Sequence, residues 1–266
     1  ILKPMGSMDT IKLVDLNGQH DRLRGELDTA IKSVMDSGAF INGPEVQAFE
    51  EELAAYLDIP CAVGCANGTD ALQLALMTLN LPRGSEVIVP DFTFVSTAEV
   101  VKQLGLQPVL VDVDQDTFLI DPEAAARVVN ERTRAIMPVH LFGQCAPMEA
   151  ILDLADKHGL YVIEDAAQAL GAKCYCRGQW KAAGTMGDLG ATSFFPTKNL
   201  GCMGDGGALF TKDTDLAYQA RVLRQHGMGA QYHYHHVGLN SRLDTLQAAI
   251  LRVKLPYLDH FNHLRQ

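Results

Sequence analysis

Tyr161-Val162-Ile163-Glu164-Asp165 decides the fold. The stretch follows a helical pattern over residues 147–158, stays apolar up to Glu164, and runs straight into an aspartate. Apolar residues at successive positions, instead of alternate ones, fit a strand covered on both faces, which is the habit of parallel sheets. The unit recurs in kind: strand-like runs stand at residues 86–90, 108–113 and 134–139, with helical patterns over 95–104 and 122–130 in the gaps. Strands alternating with helices build βαβ units, so the chain reads as an α/β protein with a mainly parallel sheet between helices. Ligands of such sheets bind beyond the carboxyl ends of the strands, where Asp165 lies. Upstream, Leu23, Leu27, Ile31 and Val34 share one face of a helix that stops at Gly38, and Pro44 suits the first turn of a second helix carrying Val46, Phe49 and Leu53.

A second stretch supplies chemistry. Thr192-Ser193-Phe194-Phe195-Pro196-Thr197-Lys198-Asn199 places a lysine just after another short buried strand. A lysine and an aspartate at strand ends of one α/β chain are the two groups that pyridoxal 5'-phosphate (PLP) requires. The amine forms the Schiff base, and the carboxylate keeps the pyridine nitrogen protonated so that the ring accepts electrons. The plainer alternatives are a lysine in a surface loop and a helix cap at Asp165. Asn67-Gly68-Thr69-Asp70-Ala71-Leu72 opens a further helical pattern. Small and polar residues there leave N–H groups free at the positive end of a helix, a fit for the cofactor phosphate. An ordinary cap by Thr69 or Asp70 is the other reading. Ser193 carries a hydroxyl suited to the same phosphate.

These stretches resemble the DegT/StrS-type (DegT/DnrJ/EryC/StrS) nucleotide-sugar aminotransferases, PLP enzymes of the aspartate aminotransferase (type I) fold. Further matches are Gly43-Pro44-Glu45-Val46-Gln47-Ala48-Phe49-Glu50, Asp91-Phe92-Thr93-Phe94-Val95, Pro138-Val139-His140-Leu141-Phe142-Gly143, Glu164-Asp165-Ala166-Ala167-Gln168 and Asn240-Ser241-Arg242-Leu243-Asp244, all in the family's order. The resemblance implies that Lys198 is the catalytic lysine, Asp165 the partner of the ring nitrogen, and Gln168 a contact on the phenolic-oxygen side. Phe94 would stack on the ring, with core packing as its alternative. Gly68, Thr69 and Ser193 would cradle the phosphate, and Asn240 would reach the cofactor of a partner subunit, making a homodimer with shared sites. L-Glutamate would give its amino group to a keto group on a nucleotide-linked hexose. The stretches around Asn67-Gly68, Gly143-Gln144-Cys145 and Tyr234-His235-His236 most resemble relatives that aminate C3 of an N-acetylated uronic acid carried on UDP. Arg224, His226, His233, His235, His236 and Arg242 gather where an anionic substrate could be met, with Arg242 first among them and a structural salt bridge as its alternative.

Composition excludes other classes. The 266 residues are 47% hydrophobic and 20% charged, with net charge −10, which argues against a nucleic-acid surface. No apolar run reaches the length of a membrane span, and no signal peptide is legible. Six scattered cysteines make no C-x-x-C pair and suit a reducing cytoplasm. His233-Tyr234-His235-His236 lacks a carboxylate or cysteine at ligand spacing, so no metal is expected. Gly204-Asp205-Gly206-Gly207 precedes a strand instead of linking strand to helix, which fits close backbone approach or a tight turn better than a dinucleotide site.

The expected organisation is a start-and-tag remnant over residues 1–8, a PLP-binding large domain over 9–243, and over 244–266 the beginning of a helix leading to a small domain that this chain largely lacks. Pro256 is expected to kink that helix. Two rival functions share the resemblance: a PLP-binding sensor without turnover, and a PLP-dependent sugar dehydratase, in which histidine replaces the lysine.

Overall fold

The computed structural model describes residues 14–230 and 232–266, so the expected remnant over residues 1–8 lies outside the described residues. In chain order the elements are α1 (Leu16–Ser37), α2 (Pro44–Leu57), β1 (Cys61–Cys65), α3 (Gly68–Leu79), β2 (Glu86–Pro90), α4 (Ser96–Gln103), β3 (Gln107–Val111), α5 (Pro122–Val128), β4 (Thr133–Ile136), α6 (Met148–His158) and β5 (Tyr161–Asp165). There follow β6 (Lys173–Cys176), β7 (Gln179–Ala182), β8 (Leu189–Ser193), β9 (Gly207–Thr211), α7 (Thr214–Leu223), β10 (Met228–Ala230), β11 (His233–Tyr234), α8 (Thr245–Lys254) and α9 (Leu258–Arg265). The helices at Gly38 and Pro44 stop and start as expected. The run at 134–139 is interrupted at Pro138, which has no N–H to give the ladder; its carbonyl still accepts from the Asp165 amide, and Val139 bridges Asp165 in parallel.

Seven strands form one sheet in the order β1-β9-β8-β5-β4-β2-β3. Every pairing in it is parallel except those of β9, which runs against both β1 and β8. The cause is the connection. A parallel return needs a long crossover, usually a helix, whereas β8 and β9 are joined by a loop without one. That loop, residues 194–206, carries Lys198 and projects from the end of the sheet where β1, β2, β4, β5 and β8 all finish.

Both faces of the sheet are covered, which explains the unbroken apolar strands. Val87 and Val89 pack with α3, α4 and α7 on one side, while Ile88 between them packs with α5 and α6 on the other. Toward β1 and β9 the second side is closed by α2 and α8, with Phe49 meeting Phe194 edge to face at 5.4 Å. Helix α1 lies outside, its Leu23 and Leu27 against Ile250 and Phe261. Pro256 falls in a 3-10 turn between α8 and α9, so the expected interruption is present.

The same two-faced logic separates the two acids at the end of β5. Glu164 is fully buried, and its carboxylate accepts from the amides of Gly184 (2.9 Å), Met186 (2.6 Å) and Gly187 (2.6 Å) and from His140 Nε2 (2.8 Å). The Ala146 amide donates to His140 Nδ1, so the imidazole proton sits on Nε2 and points at Glu164. Four donors answer one buried charge, and they fasten the end of β5. Glu164→Gln turns two donors of its own toward these donors. It should cost about 3 kcal/mol of stability, read as a lowered midpoint in urea or thermal unfolding.

Candidate active site

The carboxyl ends of five strands deliver their loops to one cavity of about 670 Å³. β1 leads to Asn67, Gly68 and Thr69; β2 to Thr93 and Phe94; β4 to Val139 and Leu141; β5 to Asp165, Ala167 and Gln168; β8 to Ser193, Phe195, Thr197 and Lys198. Of the residues expected at the site, Gly68, Thr69, Phe94, Asp165, Gln168, Ser193 and Lys198 are therefore brought together. His233, on exposed β11, and Asn240 and Arg242, beyond it, do not line this cavity.

Asp165 ends β5 nearly buried, with Thr97 Oγ1 donating to Oδ2 and the Ala167 amide to Oδ1, both at 3.1 Å. No helix follows it, so the capping alternative does not apply. Burial pushes its carboxyl above the usual carboxylate range; the Ala167 amide, the Thr97 hydroxyl, Lys198 and His140 pull the other way. Lys198 is half-buried and lines the same cavity. Burial holds its amine below the ordinary lysine value, opposed by the charge of Asp165. Both groups are thus displaced toward neutrality by the same desolvation.

At the start of α3 the cap is Asn67, whose side chain accepts from the Asp70 amide at 2.8 Å; neither Thr69 nor Asp70 plays that part. The amides of Gly68 and Thr69 have no backbone or side-chain acceptor among the described residues, and both residues line the cavity. Gly68 lies directly on Ser193: a Cβ there would stand 2.6 Å from that of Ser193. Gly207 is pressed as closely against Asn67, where a Cβ would meet the Asn67 carbonyl at 2.3 Å, so the glycine run after Lys198 serves close backbone approach, as expected. Gln168 accepts from the Phe142 amide through Oε1 at 2.8 Å, which leaves its amide N–H groups for the cavity. Phe94 is 69% exposed, so it is no core residue, and its ring stands at the cavity wall.

One expected group is reassigned. Arg224 is buried and donates through Nη1 to Glu50 Oε1 at 2.6 Å and to the Gly64 carbonyl, a structural ion pair that ties α7 to α2 and β1. Its place in sequence among the histidines says nothing of its place in space. Arg242 forms no ion pair among the described residues. Thr97, which no sequence motif singled out, is the missed participant. The only available signal was its spacing of four from Thr93, whose hydroxyl lies 3.0 Å from its own.

The chain matches the DegT/DnrJ/EryC1/StrS aminotransferase family over residues 21–266. The chain belongs to this family. It is 46% identical over 256 residues to the UDP-2-acetamido-2-deoxy-3-oxo-D-glucuronate aminotransferase of Pseudomonas aeruginosa, covering 96% of this chain and 70% of that protein. It is also 46% identical over 256 residues to a pleiotropic regulatory protein of Geobacillus stearothermophilus, covering 96% and 68%. Among solved structures it resembles DesV of S. venezuelae in complex with a ketimine intermediate, with a TM-score of 0.90, 45% identity, and 95% of this chain and 67% of that chain covered. The fold is that of the PLP-dependent type I enzymes, and the protein is a PLP-dependent aminotransferase.

The residues present fit PLP. Free amides and a hydroxyl meet where a Cβ would close the gap, and a hydrogen-bonded carboxylate and an amine face the space beyond. Bound PLP supplies an aldehyde and an electron-accepting ring. Gly68, Thr69 and Ser193 would hold its phosphate, Asp165 its ring nitrogen, Gln168 its phenolic side, and Phe94 would cover a ring face.

Two substitutions test this layout. Gly68→Ala fills the space against Ser193 and should weaken PLP binding, measured by equilibrium dialysis, while the apoprotein stays folded. Thr97→Val removes a hydrogen bond to a charged group and should weaken binding by about tenfold. Because the Thr97 hydroxyl lowers the Asp165 pKa, its loss raises it. Binding that fails as Asp165 takes up a proton should then fail at a higher pH than in the wild type.

Proposed function

We propose that the protein moves an amino group from L-glutamate to C3 of a UDP-linked N-acetyl-hexuronic acid bearing a 3-keto group, supplying an amino sugar for polysaccharide. The observation that carries the reading is the pair Lys198 and Asp165 lining one cavity. Lys198, with its neutral form favoured by burial, is fitted to take a proton from one carbon and return it to another. A lysine at its reference pKa of about 10.4 would be a poor base near neutrality. The Pseudomonas aeruginosa relative, named for a 3-oxo-glucuronate on UDP, supports the sugar and the position.

The electrostatics of the cavity favour a homodimer. Its lining holds Asp70, Asp165 and Asp205 but a single basic side chain, Lys198, among the described residues. A phosphate and a nucleotide diphosphate need more cations than that. Arg242, His233 and Asn240, outside their own cavity, are the groups a second copy would bring. Exposed apolar residues support the same reading: Phe195 on the cavity lining, and Phe92, Val95 and Phe142, each next in sequence to a lining residue, are all at least 47% exposed and suited to burial against another subunit. A cytoplasmic setting agrees with the six free cysteines.

A sensing role has the regulatory name of the Geobacillus stearothermophilus relative in its favour. A sensor that only held PLP would use Lys198 for the Schiff base but would not need a carboxylate at Asp165 to make the ring accept electrons. The dehydratase reading is disfavoured by Lys198.

With PLP, L-glutamate and the UDP-linked 3-keto sugar, the full-length protein should release 2-oxoglutarate and the 3-amino sugar, followed by mass spectrometry. Lys198→Ala should abolish both products with an unchanged circular dichroism spectrum; retained transamination would sink the assignment. Mixing Lys198→Ala with Arg242→Ala subunits after mild dissociation should restore turnover, since one mixed site keeps both residues. No recovery would count against shared sites.

A further inference from the structure

Lys254, in the last turn of α8, is 1% exposed. Its ammonium makes no ion pair with a carboxylate among the described residues. It donates to the Gly201 carbonyl at 2.7 Å and approaches His20 Nε2 of α1 at 3.1 Å, with the buried Cys202 beside it. Burial without a counter-ion is costly for an ammonium and pushes the Lys254 amine below the ordinary lysine value. A residue that merely filled this space would be Met or Leu, so the amine must offset its burial through what it holds.

What it holds is the loop of Lys198. Residues 194–206 contain no helix or strand, and their path is set by a few hydrogen bonds. At the base, the Phe194 amide donates to the Gly206 carbonyl and the Cys202 amide to the Phe194 carbonyl, both at 2.7 Å. Between these ends the chain doubles back so tightly that a Cβ on Gly201 would stand 2.3 Å from the Pro196 carbonyl. Gly201 therefore closes the turn on which Lys198 is carried, and its carbonyl is the one Lys254 grips.

The two C-terminal helices fasten the same loop at three other points. Gln247 exchanges two hydrogen bonds with Met203, Asn262 accepts from Asn199 at 2.7 Å, and Arg265 reaches the Lys198 carbonyl at 3.4 Å. The Gln247 and Arg265 contacts are open to water, which competes for each donor and acceptor. The Lys254 contact is closed to it.

We propose that Lys254 is a positioning residue for Lys198: its buried amine donates to the Gly201 carbonyl and thereby fixes the turn that aims the Lys198 amine into the cofactor cavity. Helix α8 thus sets the geometry of the reacting amine as well as covering the sheet. The proposal rests on Lys198 being the cofactor lysine.

The test uses the full chain carrying Lys254→Met, which keeps the volume and removes the donor. Thermal unfolding of the apoprotein should give a midpoint equal to or above that of the wild type, because a buried charge has gone. PLP should bind about tenfold more weakly by equilibrium dialysis, and the pH midpoint of the visible absorption of the bound cofactor should move. The rate of the L-glutamate half-reaction should fall by about a hundredfold, with little change in KM, as expected for a misplaced amine. Ile250→Ala, on the face of α8 that packs against α1, should lower the unfolding midpoint and leave cofactor affinity and absorption unchanged. A Lys254→Met protein with wild-type affinity and absorption would overturn the proposal, as would an Ile250→Ala protein that reproduces its spectral change. Lys198→Ala run alongside separates the two assignments. If it keeps the wild-type absorption, Lys198 is not the cofactor lysine; if it loses it while Lys254→Met is unaltered, Lys254 alone is misassigned.

Discussion

A carboxylate buried at the end of a strand is the constraint around which this molecule is arranged. Asp165 is held in its burial by two donors, the Ala167 amide and the Thr97 hydroxyl, and by the nearby charge of Lys198. Thr97 and Lys198 arrive from different parts of the chain, so the sheet order, the start of α4 and the loop between β8 and β9 must all be right at once. Beside it, Glu164 turns its own buried charge to the other face and spends it on three backbone amides and His140. One acid anchors the strand, and its neighbour faces the cavity.

The antiparallel return of β9 is what lets a lysine join this arrangement. Had β8 been followed by another crossover helix, Lys198 would have opened that helix and its path would have followed the helix axis. Instead it lies on an irregular loop, free of regular constraints and therefore in need of others. Those others come from α8 and α9, which pack on α1 and α2 and also bond to the loop. Structure that looks like scaffold on one face acts on the site through the other.

Much of this was legible in the chain, and the reasons differ by residue. Asp165 and Lys198 stood out because charged residues follow short apolar runs, and a strand that ends in a charge delivers it to the edge of the sheet. Gly68 was legible because a helix start made of small and polar residues leaves amides uncovered. The cap was misread because Asn, Thr and Asp all cap well, and only coordinates say which side chain turns back. Arg224 was misread because neighbours in sequence need not share a surface: it points inward to Glu50, a partner 174 residues away in sequence. Thr97 and Lys254 carried no local signal, since a threonine in a helix and a lysine near a helix end are commonplace. Their roles exist only in contacts with Asp165 and Gly201. Strands β6, β7, β10 and β11 also escaped notice, being short, polar and exposed hairpins without the apolar run that marks a buried strand.

The central claim is that Lys198 is the residue to which the cofactor is joined, in the cavity it shares with Asp165. Borohydride reduction of the PLP-loaded protein, followed by digestion and mass spectrometry of the peptides, tests it most directly. The account predicts the phosphopyridoxyl mass on Lys198 and its absence from every other lysine, Lys254 included. The label on another lysine, or none anywhere in a protein that has bound PLP, would contradict it.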